Sequence, residues 1–208
     1  LMALLIILLL RQDLLKTWQG NVPIDAPNRF VINIQNDQRD ALTQDLAVAG
    51  LGKPDLYPMV RGRLIEINNR PVMPNDYSKD NARRLVDREF NLSYTMDLPG
   101  GNQVVAGNWF KQNEPQISIE TGIAKTLGLK LGDRLAFEIA GETVSAEITS
   151  LRTLEWGSMR VNFFVIMPPV LLQDLPQSWI TAYYQPPSTE VLDFRLTQRY
   201  PNITVVDV

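Results

Sequence analysis

The stretch from Gln116 to Thr149 constrains the chain most, because its hydrophobic pattern closes on itself. Ile117 and Ile119 alternate with polar neighbours, which predicts a short strand. Thr121 is placed to cap a helical turn that carries Ile123 and Leu127 four residues apart on one face. Gly128 and Gly132 bracket the next turn, since a helix exit needs a left-handed backbone that glycine adopts without steric cost. Leu135, Phe137 and Ile139 then alternate along a second strand. Ala140-Gly141-Glu142 reverses it, and Val144, Ala146 and Ile148 alternate on the return. The result is a β-rich unit with one apolar face, and Glu120, Glu138, Glu142 and Glu147 are expected on its solvated side.

Nothing in that unit is equipped for chemistry, and the rest of the chain narrows the choice further. With no cysteine and no histidine in 208 residues, disulfides, thiolate zinc sites, cysteine nucleophiles, serine triads and histidine-ligated metals are unavailable. A net charge of -3 and the lack of a basic run argue against nucleic acid as a partner. Asp76, Asp80 and Asp87 are the nearest approach to a carboxylate cluster. Acidic residues at a helix start also favour the helix dipole, and that reading is preferred to a metal site. No cofactor is expected.

Taken in order, Leu1 to Leu10 is wholly apolar and reads as the second half of a transmembrane helix whose end spans 1–18. Pro23 and Pro27 mark a linker. Phe30, Ile32 and Ile34 alternate along a strand, and Asn36 or Asp37 can cap a helix with Leu42, Leu46 and Ala49 on one face. A strand over 57–67 follows, turned by Asn68-Asn69. Ser78 is placed to cap a helix with Ala82, Leu85 and Val86 inward and Arg83, Arg84 and Arg88 outward. A strand over 90–96 comes next. Towards the end come a strand over 162–167, a short helix over 170–175, a strand over 179–184, a helix capped by Ser188 and a strand over 203–208. The order βαβ near the start and ββαβ near the end predicts an α+β fold with a split-βαβ, ferredoxin-like lobe. That lobe is expected to take residues 19–98 and 157–208, with 99–156 as an inserted β-rich lobe.

The runs DAPNRFVINIQ at 25 to 35, RGRLIEINNRPV at 61 to 72, DREFNLSYTMDLPGGNQVVAGNWF at 87 to 110, ETGIAKTLGLKLGDRLAFEIAG at 120 to 141 and NFFVIMPP at 162 to 169 carry a family likeness. They resemble the first large extracytoplasmic domain of YbbP-like ABC transporter permeases, of the FtsX and MacB superfamily. The likeness covers nearly the whole chain after Pro23, with Asn69 standing where that family's hairpin would have glycine. It implies a permease of the bacterial inner membrane with a separate cytoplasmic ABC ATPase subunit, and a periplasmic domain built of a porter-like lobe and an inserted sabre-like lobe. ATP-driven motion of the membrane helices would pass to a lipid-like or hydrophobic substrate, to membrane lipid, or to a periplasmic partner such as an esterase or lysophospholipase. The resemblance supplies no catalytic motif, so a non-enzymatic subunit is expected.

Contact residues are sought among apolar groups on turns: Met96 in the Met96 to Pro99 turn, Trp109 and Phe110 after the Gly100-Gly101 turn, and Trp156 and Met159 at the lobe junction. Each also suits packing between lobes. Arg83 and Arg84 would serve an anionic partner. The competing readings are a membrane-tethered scaffold or adhesion domain and a metal-dependent hydrolase.

Overall fold

The computed structural model describes residues 23–189 and 191–208, so the expected end of a transmembrane helix at 1–18 lies outside the described residues. Among the described residues no helix is long and apolar enough to cross a membrane. The chain enters on β1 (Arg29–Ile34), crosses through α1 (Arg39–Val48) and returns on the long β2 (Leu56–Ile67). A hairpin to β3 (Arg70–Pro71) leads to α2 (Asp80–Asp87), β4 (Phe90–Tyr94) and β5 (Asn102–Gly107). The patterned stretch becomes β6 (Gln116–Glu120), α3 (Thr121–Leu127), β7 (Arg134–Ile139) and β8 (Glu142–Leu154). Then come β9 (Val165–Met167), α4 (Pro169–Leu172), β10 (Ser178–Tyr183), α5 (Val191–Arg199) and β11 (Thr204–Asp207). This is a mixed helix and strand fold, in which a sheet adjoins a barrel.

Four strands form the sheet in the spatial order β11, β1, β10, β2, each antiparallel to its neighbour. Leu42 and Leu46 of α1 and Leu196 of α5 pack with Val31, Ile34, Trp179 and Tyr183 in one apolar cluster. The alternation expected for β1 is broken. Asn33 takes a left-handed φ of 63°, and the register against β10 steps from Val31 opposite Thr181 to Ile34 opposite Trp179. Three residues thus match two, as in a β-bulge, and Ile34 comes onto the same face as Val31 instead of Phe30. Asparagine tolerates this conformation better than a branched residue would. Its side chain also donates to the Asn202 carbonyl at 2.7 Å, while Asn202 Nδ2 donates back to the Asn33 carbonyl at 2.8 Å.

The second half of β2 leaves the sheet and enters a closed ring of six strands. There β2 pairs with β4, β4 with β9, β9 with β6, β6 with β8, β8 with β7, and β7 returns to β2. The β4–β9 and β6–β8 pairs are parallel and the others antiparallel. β5 adds to β8 outside the ring. The ring takes β2, β4 and β9 from outside 99–156, so its hydrogen bonds run across both of the lobe boundaries expected at 99 and 156. β6 is moreover buried on both faces: Ile117 and Ile119 face the barrel core, Ser118 is covered by Ser150 and Arg152, and Glu120 is buried as well. Glu120 is therefore not solvated as expected. It is the N-cap of α3, its carboxylate accepting from the Ile123 N–H at 2.8 Å in place of Thr121. α2 likewise has Lys79, not the expected Ser78, at its N-cap, with no side-chain cap bond.

Candidate functional site

A third apolar cluster lies where the sheet meets the barrel. Met59, Phe110, Val161, Phe163 and Ile166 form its buried part, and Phe30, Tyr57, Met96, Trp109, Ile180 and Ala182 pack against it. Phe30 comes from β1 and Ile180 from β10, so the sheet face opposite α1 and α5 supplies one side of this seam. The Met96 to Pro99 turn, the Asn108 to Phe110 segment and the 159–164 segment supply the other. The Trp109 ring lies 4.3 Å from Phe110, centroid to centroid, with the planes tilted by 35°.

Beside this cluster opens a cleft of about 420 Å³. Tyr57, Leu98, Val161, Phe163 and Ile166 give it apolar walls, and Asp55 and Asp97 stand at it as exposed carboxylates. Burial pushes the Tyr57 phenol above its ordinary value, and the nearby Asp55 charge adds to this while Arg160 opposes it. Arg160 also covers Gly100, another lining residue: a Cβ at Gly100 would collide with its guanidinium.

The position of the 159–164 segment depends on Arg152, which is fully buried. Its Nε donates to the Ser118 hydroxyl at 2.9 Å, its Nη1 to Asn102 Oδ1, and its Nη2 to the Phe163 and Phe164 carbonyls at 2.9 and 3.1 Å. One guanidinium therefore joins β6, β5 and the segment that walls the cleft. Burial pulls Arg152 down to about 10, opposed by the charge of Glu120, its register partner on β6, so it remains charged at neutral pH. A buried cation needs this many acceptors to offset lost hydration.

Of the residues singled out in the sequence, Met96, Trp109 and Phe110 come together in the seam, with Phe110 buried and the other two partly so. Trp156 is 58 % exposed, with its ring 5.7 Å from Phe164, and Met159 holds a left-handed φ of 54° in the same turn. Arg83 and Arg84 lie apart from the seam, on α2. Arg83 Nε donates to the Tyr77 carbonyl at 2.6 Å and Arg84 Nε to the Asp80 carbonyl at 3.4 Å, so both fasten local backbone. Asp76 closes its own turn by accepting from the Met73 N–H. Among the described residues no group of three or more carboxylates is placed to hold a metal ion. Sequence reasoning passed over Asp55, Tyr57, Arg152, Arg160 and Phe163. Arg152 had no local signal, because a register shift of β8 against β6 puts it on the face opposite Ile148 and Leu151.

No family model matches the sequence. Over 207 residues, 100% of the chain, it is 37% identical to the uncharacterized ABC transporter permease YbbP of Escherichia coli (strain K12), and it spans 25% of that protein's length. A crystallised domain assigned to a permease protein of Porphyromonas gingivalis aligns over 87% of this chain and 86% of its own, at 12% identity and a TM-score of 0.38.

Proposed function

The chain is a domain of a YbbP-like ABC transporter permease, and from that premise we propose that it is the periplasmic domain through which ATP-driven motion reaches a hydrophobic or lipid-like substrate or a periplasmic partner such as an esterase. The observation that carries this reading is the 37% identity over the whole chain to one quarter of such a permease. The membrane part and a cytoplasmic ATPase subunit complete the machine, which sits in the inner membrane. The domain is non-catalytic: it supplies a shape that moves.

Two features of the fold support this reading. The β11, β1, β10, β2 order with two connecting helices supports reading this part as a split-βαβ lobe, which we equate with the porter-like lobe, and the barrel region around 99–156 with the sabre-like lobe. Arg29 opens β1 and pairs with Asp207 at the end of β11, so a pull at either strand enters at the same end of the sheet. From there β2 carries it into the barrel without a linker.

The test is hydrogen exchange across this domain in the intact permease, purified with its ATPase and compared in nucleotide-free and vanadate-trapped states. Trapping is expected to change protection in the seam segments 95–100 and 156–164. Identical exchange throughout the domain, or a permease that retains no ATPase, overturns the proposal.

A further inference from the structure

We propose that the seam cleft binds a single-chain amphiphile whose head is zwitterionic. This rests on the reading of the domain as one that handles an amphiphilic substrate, and it adds the site and the head-group chemistry. The cleft's volume of about 420 Å³ falls in the lower part of the roughly 300–1,000 Å³ usual for small-ligand sites. Its walls offer Leu98, Val161, Phe163 and Ile166 to a hydrocarbon tail.

Most polar groups of those walls are already engaged, while the Tyr57 hydroxyl has no hydrogen-bond partner among the described residues. The Ser93 hydroxyl donates to the Pro58 carbonyl at 2.6 Å, the Tyr94 hydroxyl to Gln177 Oε1 at 2.6 Å, and Asn102 Oδ1 accepts from Arg152. Recognition of a head group falls to the Tyr57 hydroxyl and to the rim, where Asp55, Asp97 and Arg160, whose guanidinium lies over the lining residue Gly100, are all exposed. None of these three makes an ion pair among the described residues. An anionic head would meet two carboxylates, and a cationic head would meet the guanidinium. A head carrying both charges can set its ammonium towards Asp55 and Asp97 and its anionic group towards Arg160, which supplies charge-assisted contacts on both sides.

The experiment titrates the intact chain with four surfactants that share a dodecyl tail, each kept below its micelle threshold: a phosphocholine, a trimethylammonium, a sulfate and a maltoside. Amide shifts at Val161, Phe163 and Ile166 report the site. The phosphocholine is expected to bind on the order of tenfold tighter than the maltoside, a difference of about 1.4 kcal/mol. Arg160→Gln should erase its advantage over the trimethylammonium surfactant, and the double change Asp55→Asn with Asp97→Asn its advantage over the sulfate. Because these side chains are exposed, an unchanged unfolding midpoint will show that each variant is folded. Equal binding of all four overturns the head-group inference and leaves the substrate reading standing. Absence of shifts at those three positions with every surfactant overturns both.

Discussion

The Trp109 indole N–H donates to the Met96 carbonyl at 2.8 Å, binding the segment after β5 to the turn after β4. Two residues expected at a contact surface are thus partners in one strut of the seam. Trp109→Phe keeps an aromatic ring against Phe110 and removes the donor. It should cost about 1 kcal/mol, the usual net worth of such a bond. Urea unfolding would show this as a lower midpoint with an unchanged slope.

Arg152→Met fills similar space but withdraws every donor from Ser118, Asn102 and the Phe163 and Phe164 carbonyls. Leaving such acceptors buried and unpaired is expected to cost on the order of 3 kcal/mol. Exchange protection should fall first around the 159–164 segment. A loss confined to the sheet would contradict the role given to this guanidinium.

Gly62 sits where β2 passes through the barrel, and a Cβ there would lie 2.9 Å from Ile139 Cγ1 and from Leu92 Cδ1. Both neighbours belong to the main apolar cluster. Gly62→Val should destabilise by about 1–3 kcal/mol through overpacking. At Gly157, where nothing lies within 4 Å, Gly157→Ala should leave the denaturation midpoint nearly unchanged.

Tyr200 donates to Asp45 Oδ2 at 2.7 Å, and its phenol is pushed up to about 12 by burial first, then by the bond to Asp45 and that residue's charge. A folded value above the ordinary value of about 10 means that the fold holds this proton more tightly than the unfolded chain does. The stability it contributes is whole below about 10 and is lost as pH rises through about 12. Tyr183, in the same cluster, is raised too, mainly by burial. Unfolding curves taken along an alkaline series should therefore fall steeply, and Tyr200→Phe should remove part of that dependence.

Much of the element order was legible because periodicity and turn chemistry are local. Asn68 and Asn69, with φ of 52° and 61°, occupy the hairpin that their residue types announce, and Gly128 ends α3 in the left-handed region. What could not be read was pairing between distant strands. Nothing near Glu120 tells whether the far side of β6 is covered; it is the distant Ser150 and Arg152 side chains of β8 that close over Ser118. The site was hidden for the same reason. Tyr57, Asp97 and Phe163 are separated by long stretches of chain and meet only after the ring closes. The bulge at Asn33 was also invisible, because an inserted residue shifts the alternation without altering composition.

β2 pairs at its start with β10 and farther along with β4 and β7. The two halves therefore share one register. A slip of a single residue along β10 would carry Val60 and Leu64 out of their places in the barrel, turning buried side chains to the opposite face. An alignment error made in either half is an error in both, and the correct match in one proofreads the other.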